Sequence, residues 1–545
     1  MKKLVLILFM VVLAFSRDLP TQFDLRDYNG VNYVSSVKNQ DGGTCWTHAV
    51  MAAMESNIMR TDQYYQENEP NFSEYHLDWW NGFNQFQNLD AEPTTGNGLE
   101  VHQGGDYLVA SAYITRGDGV VMGEGSHSFE TAPPFESDLY QRFAPKHIEW
   151  YTMDQDLNGI DEIKECIMEN GAIGTCMAYN NQFIDYDYNH YQPYSSNMLP
   201  NHAVTIVGWD DEREIYSAPA PGAWIVKNSW GEYWGHNGYF YISYYDKWSC
   251  KEEFMGAVSF KDVEEKDFYE DCPPSKEIYI HDYHGWRDTV EEISEAVNYF
   301  YVEGFENEYN LISRVSFFTP VDNCEFDLKI YNGFENGELT DLICETSGSF
   351  EKRGFHEVSL EEFGASTSIS PDTYVYLKFN NGGHPIDRTS DVPVLLGAEP
   401  TKTIVTSKAS PGESFYKDGN EWKDLYDYDL GEFSQSANFC MKLHINSYTS
   451  IDENIIKDHS ILRNYPNPFN PTTTLSFDLG YDSSNIQIVI FDVSGSIVKS
   501  YQLGAQKAGV HKVDFDGSSL SSGTYYAKLI SNGMAISTNK MVLIK

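Results

Sequence analysis

Basic residues are scarce: the 545-residue chain has 37 Lys and Arg against 81 Asp and Glu, a formal net charge of −44 at pH 7. That balance excludes nucleic acid and anionic membrane surfaces as partners. The acidic residues are spread along the chain, as a solvated exterior requires, and mark no single patch as a binding site. Cysteine is sparse too, eight in all, too few and too scattered for a disulfide-dense scaffold. With Cys45 set apart, Cys166, Cys176, Cys250, Cys272, Cys324, Cys344 and Cys440 remain, an odd set that cannot all pair within one chain. No pair is assigned. There is no CxxC or HExxH pattern, so no metal site of those kinds is expected and no cofactor is implied. Past the first residues no apolar run is long enough to cross a bilayer as a helix.

The first residues themselves are different. Met1-Lys2-Lys3 is a short basic stretch, 4–15 is unbroken apolar, and Ala14-Phe15-Ser16 closes it with small residues. This pattern predicts a secretory signal peptide over 1–16 and an exported, soluble mature protein.

The chemistry centres on Val37-Lys38-Asn39-Gln40-Asp41-Gly42-Gly43-Thr44-Cys45-Trp46 and the helical pattern behind it. Trp46, Ala49, Val50, Ala53 and Met54 recur at the spacing of one buried helical face, with Thr44 as N-cap and Gly42-Gly43 as breaker. A thiol on the first turn meets the positive end of the helix dipole, which favours the nucleophilic thiolate. Gln40, just upstream, has an amide able to donate to an oxyanion beside that sulfur. The bland alternative is a buried small hydrophobe at a helix start. Further on, Gly104-Gly105 precede a helical pattern (Tyr107, Leu108, Ala110, Tyr113, Ile114) and would let another backbone approach closely, or simply turn the chain. His202 opens the β-rich run NHAVTIVGW, and Asn228 follows another, AWIVKNSWG. A cysteine nucleophile needs a base, and the base an orienter; Cys45, His202 and Asn228 supply those roles in that order. Their separations lie somewhat above the roughly 130–150 residues usual for this arrangement.

These pieces (LPTQFDLRD, VKNQ…GTCW, the glycine pair with its helix, NHAVTIVGW and IVKNSWGEYWGHNGYFYIS) resemble the papain-like cysteine peptidases, in the family's order. The resemblance implies a catalytic domain over 17–266 with two lobes, one helical and one a β-barrel, and an active site between them. It makes Cys45 the nucleophile, His202 its ion-pair partner and general acid/base, and Asn228 the orienter of His202. Gln40 and the backbone N–H of Cys45 become oxyanion donors, Trp230 a shield for the Asn228–His202 hydrogen bond, and Gly104 and Gly105 the main-chain clamp for a protein or peptide substrate. The chain departs from the family in three ways. It has one residue fewer between Gln40 and Cys45, lacks the usual disulfide cysteine in that turn, and leaves no room for an N-terminal inhibitory segment before Leu19. His48, one helical turn after Cys45, is read as a packing residue.

Asp154-Gln155-Asp156-Leu157-Asn158-Gly159 with Glu165 matches the EF-hand loop expression. Ile148-Glu149-Trp150-Tyr151 before it reads as a strand rather than an entering helix. Asn158 as the N-cap of a helix through Ile160, Ile163 and Ile167 explains the same residues without calcium.

Beyond the charged stretch 261–266, short β-type runs at 296–302, 312–318, 326–331, 373–379, 403–406 and 439–445 predict an antiparallel sandwich over 267–450. Glu413-Ser414-Phe415-Tyr416, Trp422 and Asn438-Phe439-Cys440 resemble a lectin-like accessory domain. A carbohydrate or cell-surface partner rests on that family's name alone, and a spacer or substrate-presenting module is the alternative. Residues 451–463 read as a linker. The final unit, 464–545, opens on YPNPFNP and has strand patterns at 473–479, 486–491, 497–503, 510–515, 523–530 and 540–545. With the Ala508-Gly509-Val510-His511 turn, SGTYYAKL and KMVLIK, it resembles the C-terminal sorting domains of the type IX secretion system. That implies contact with the secretion machinery of a Gram-negative bacterium and a released or surface-anchored product. The fold class expected is thus α+β, a two-lobed papain-like domain followed by two all-β sandwiches. The function expected is a secreted cysteine endopeptidase acting through a thioester acyl-enzyme. The alternatives are a papain-fold surface or glycan-binding protein, and a transferase or aminopeptidase on the same triad.

Overall fold

The computed structural model describes residues 19–545 apart from 89, 91–93, 96–97, 118, 267–274, 303–307, 361–368, 395, 398–400, 450–461, 480–482, 493–496, 508 and 532–533. The expected signal peptide and most of the expected linker lie outside the described residues. Among the described residues no helix is long and apolar enough to cross a membrane. Their seven cysteines are all free and buried.

The first lobe is built on the helix Cys45–Thr61, flanked by Glu74–Trp80 and Tyr107–Thr115. The apolar spacing predicts one buried face, but the helix is buried all round from Cys45 to Met59. It is held from two sides: Trp46, Val50 and Met54 pack with Tyr107, Tyr113 and Phe143, and on the second lobe's side Ala49 O accepts a hydrogen bond from Thr205 Oγ1 at 3.3 Å. Small residues such as Ala49, Ala52 and Ala53 allow so close an approach from several sides.

The second lobe is an antiparallel sheet of Ile173–Met177, His202–Asp210, Ala223–Lys227 and Tyr239–Ser243. Its two middle strands are buried on both faces, which is why Val204-Thr205-Ile206-Val207 and Trp224-Ile225-Val226 are near-continuous in apolar residues. The register sets Met177 opposite His202 and Thr205 opposite Lys227, so His202 and Asn228 emerge at one edge of this lobe.

The sheet does not stop at the lobe. Ala257–Lys261 pairs with His147–Tyr151, and that strand pairs in turn with Gly354–Ser359 of the next unit, Ile148 opposite Phe355. Glu308–Thr319 and Met441–Thr449 continue it, making one twelve-stranded sheet across the two units. A second, six-stranded sheet, running from Glu338–Phe350 to Glu421–Asp424, completes the sandwich. Leu328, Ile330, Val375 and Leu377 meet Val315, Phe317, Leu443 and Ile445 between the sheets. The sandwich is as expected; its fusion to the first unit through a shared sheet is not. Pairing covers an edge strand that would otherwise be open to association.

The C-terminal unit has two sheets. Leu462–Tyr465, Thr472–Leu479 and Gly509–Asp516 form one, and Ile497–Gln506, Ser483–Asp492, Gly523–Ser531 and Met534–Leu543 the other. Leu475, Phe477, Ile488, Ile490 and Leu529 fill the space between them. The α+β fold class, a two-lobed first unit and then all-β units, is what the structure shows.

Candidate active site

Gly42 and Gly43 fix the turn before Cys45, each for a separate reason. Gly42 has φ +61°, a region that favours glycine. A Cβ on Gly43 would lie 2.8 Å from the carbonyl carbon of Gln103, because the turn is pressed against that loop. Gly43 N donates to His102 O at 2.7 Å, closing the contact. Thr44 is the N-cap residue, as expected, but its hydroxyl does not cap the helix. It donates instead to Asp41 O at 2.7 Å, holding the turn and leaving the first N–H groups of the helix without a side-chain cap.

Cys45 Sγ accepts a hydrogen bond from Ala203 N at 3.5 Å, which sets the sulfur beside His202, the residue before. His202 Nε2 is 2.8 Å from Asn228 Oδ1. That oxygen also accepts from Ser229 N at 2.8 Å, so Asn228 is fixed by its neighbour and fixes the ring in turn. The indole of Trp230 stacks on one face of His202 with ring centroids 4.5 Å apart and planes at 22°. Nδ1 is the ring nitrogen left free of Asn228. Gln40 lies across the turn, its Oε1 accepting from Ser229 Oγ at 2.6 Å and its Nε2 donating to Gly42 O at 2.9 Å. One amide hydrogen of Nε2 remains. Gln40, Gly42, Gly43, Cys45, His202 and Trp230 share one cleft of about 310 Å³ with His102, Gln103, Tyr179 and Asn201.

The electrostatics depart from the expectation of a dipole-stabilised thiolate. Cys45 is 1 % exposed, and burial pushes its thiol up to about 11 against the pull of the N–H groups of Ala203, Trp46 and Cys45 itself. Burial likewise pushes the His202 imidazole down to about 4, opposed by its bond to Asn228. Both shifts favour the neutral pair, a protonated sulfur beside an unprotonated imidazole.

His102 and Gln103 line this cleft, and the glycine pair that follows them has its edge taken up by another strand. The glycine pair is buried. It forms a two-residue strand paired antiparallel with Leu396–Gly397 of the sandwich. A Cβ on Gly105 would come within 2.7 Å of the Trp46 indole, so the close approach that glycine permits here is to Trp46. His48 is buried, its Nδ1 2.8 Å from Thr44 O and its ring edge-on to Tyr75; it packs the turn. At the EF-hand-like stretch, Asp154 accepts from Asp156 N and Asn158 N, and its other oxygen from Asn158 Nδ2. The N-cap of the helix Ile160–Asn170 is Gly159, at φ +95°, rather than Asn158. The stretch follows the strand His147–Tyr151, so no helix enters it.

Ser229, Tyr179, His102 and Asn201 went unread in the sequence. Ser229 follows Asn228 directly, and its place in NSWG was a usable signal. Tyr179 meets Trp230 edge-on at 4.5 Å, a contact with no local sequence signature. Behind the site lies a buried charge cluster that also went unread. Lys38 pairs with Glu55 at 2.8 Å and Glu74 at 2.5 Å, and Lys227 Nζ donates to Ser35 Oγ at 3.0 Å. It ties the strand leading to Asn228 to the segment leading to Gln40.

Residues 19–258 match the papain family cysteine protease model, 278–444 the lectin-like domain, and 463–545 the secretion system C-terminal sorting domain. Bovine (Bos taurus) pro-cathepsin H is 30% identical over 219 residues, covering 39% of this chain and 56% of that one. Serine-repeat antigen protein 5 of Plasmodium falciparum is 26% identical over 228 residues, 39% of this chain and 20% of that one. The chain thus spans between a fifth and about three fifths of the length of the curated relatives it matches. Among solved structures, the clostridial cysteine protease Cwp84 after propeptide cleavage superposes with a TM-score of 0.60 at 20% identity, over 78% of this chain and 99% of that one. The cysteine protease and lectin-like domains of Cwp84, a surface layer associated protein of Clostridium difficile, give 0.58 at 20% identity, over 78% and 89%. That likeness extends beyond the peptidase unit into the sandwich.

Proposed function

From a chain that carries a papain-family cysteine protease domain, a lectin-like domain and a secretion sorting domain, we propose an exported cysteine endopeptidase acting through Cys45, His202 and Asn228. The observation that carries this reading is the triad's geometry: Asn228 holds His202 Nε2 at 2.8 Å, and the residue after His202 holds Cys45 Sγ at 3.5 Å, beside a cleft of about 310 Å³.

In the reaction, His202 takes the Cys45 proton as the sulfur attacks the carbonyl carbon of a peptide bond. The tetrahedral oxyanion forms beside the start of the helix Cys45–Thr61, where the Cys45 N–H and the spare Gln40 hydrogen can donate. His202 then passes its proton to the leaving amine, and water, deprotonated by the same ring, frees the thioester acyl-enzyme. Trp230 and Ser229 do no chemistry; they hold the ring and the amide in place. Protein is the substrate class, the type IX machinery of a Gram-negative bacterium is the export partner that the C-terminal unit supports, and the product acts at the surface or outside the cell. The sandwich shares a sheet with the catalytic unit, which favours a structural role for it over an independent glycan-binding one.

Replacing Cys45 by Ala tests the proposal. Casein hydrolysis and labelling by a thiol-directed epoxide should both vanish in the Cys45→Ala chain; hydrolysis that persists would mean the cleft is not the active site.

A further inference from the structure

We propose that Leu396–Gly397, a strand of the lectin-like domain, sits where a substrate backbone would lie and so acts as a tethered inhibitor of the cleft. The inference rests on the peptidase reading above and goes beyond it to regulation. Gly104 pairs with Gly397 and Gly105 with Leu396, antiparallel. Among the described residues this is the only strand pairing the two glycines have. The same short strand lies against the helix Cys45–Thr61, which carries the nucleophile, and the strand His202–Asp210, which carries the base.

Three features make this a competitor rather than a simple domain contact. The strand lies, in sequence, between Ser390–Val394 and Thr401–Val405, which pair with each other from Ser390–Val405 to Val394–Thr401; a hairpin therefore delivers it from the sandwich. An extended peptide recognised by main-chain pairing adds as a strand to an open edge, and the edge of Gly104–Gly105, next to the cleft-lining His102 and Gln103, is already filled. A Cβ on Gly105 would meet Trp46, so the pair presents backbone alone, and peptide and hairpin compete for one row of N–H and C=O groups. An occupant on the same chain competes at the high effective concentration of a tether, whatever the protein concentration.

The full chain and its Gly397→Pro and Leu396→Pro variants would be compared in three assays. These are hydrolysis of an internally quenched peptide, alkylation of Cys45 by a leucine-containing peptidyl chloromethyl ketone, and alkylation by iodoacetamide, which needs no main-chain pairing. Proline removes an N–H and disrupts a strand pair. Both peptide-dependent rates should rise at least ~10-fold, as release from a tethered competitor predicts, with iodoacetamide unchanged. Thermal unfolding shows which of the two variants keeps the parent's midpoint, and that one is scored. Unchanged or lower peptide rates would overturn the inference and make the strand a wall that substrate needs. Equal acceleration with iodoacetamide would also overturn it, as general loosening. If neither chain hydrolyses peptide but the peptidyl reagent still gains, the inference stands and the peptidase reading falls.

Discussion

A methyl group on Gly43 should damage the site more than its size suggests. The added Cβ would sit 2.8 Å from Gln103 C, 2.9 Å from Gln103 O and 3.0 Å from His102 O. All three are backbone atoms, and none can swing aside. Relaxing them to ordinary contact means separating the two loops by roughly 0.5–1 Å, and overpacking of this kind costs about 1–3 kcal/mol. The Gly43 N–His102 O bond of 2.7 Å stretches with it. Because the same turn fixes Gln40 and Cys45, a shift near 1 Å should lower kcat/KM by about 100-fold. Gly30→Ala is the control: that glycine has φ +81° and nothing within 4 Å of an added Cβ, so it should cost about 1 kcal/mol of backbone strain and leave activity intact. Urea unfolding of both variants, with kcat/KM on one fluorogenic peptide, gives the two numbers. Parental kcat/KM in folded Gly43→Ala would refute the claim that this contact sets the nucleophile's position.

Asn228→Ala removes the partner of His202 Nε2, and should lower kcat about 10–100-fold with little change in KM, since a misoriented base weakens the chemical step more than binding; a change confined to KM would contradict it. With burial holding the Cys45 thiol near about 11 and the His202 ring near about 4, alkylation of Cys45 by iodoacetamide should rise about tenfold per pH unit from roughly pH 6 to 10. A rate already at its plateau by about pH 5 would instead reveal a preformed thiolate–imidazolium pair. Lys227 is buried, and burial lowers its ammonium from 10.5 to about 8. The unfolded chain therefore binds more protons between those values, and this group's contribution to stability rises with pH through that window, by about 3 kcal/mol at most. The stability advantage of Lys227→Met over the parent, followed by urea unfolding, should shrink over the same interval; a constant difference would show that the lysine keeps its ordinary affinity.

The parts of the site legible in the sequence were those written in local chemistry. Gly42-Gly43 before Cys45 announced a tight turn into a helix, and the structure explains each glycine separately. His202 and Asn228 sat at the ends of buried strands, where register brings them to one edge. Gly104 and Gly105 show where such reading stops: two glycines declare that something comes close but not what, and here the neighbours are Trp46 and a strand nearly three hundred residues away. Burial works against the expected thiolate for a similar reason. A helix start favours negative charge by an amount sequence suggests, while the burial that outweighs it depends on elements far along the chain.

Long-range pairing also joins the two units across the boundary that the charged stretch 261–266 suggests. Alternation in His147–Tyr151 and Gly354–Ser359 predicts a strand in each case, yet nothing in either says that they pair, Ile148 opposite Phe355. Once they do, the sandwich cannot tumble as a module on a tether, because the sheet carrying the catalytic lobe runs into it. A hairpin of that sandwich can then be set against Gly104–Gly105 with fixed register. A flexibly linked domain would reach the same edge only at the cost of ordering its linker. The fused sheet is therefore the physical precondition for control of the cleft from outside the catalytic unit. Substitutions that break the Ile148–Phe355 pairing should release the hairpin's hold as surely as changes within it.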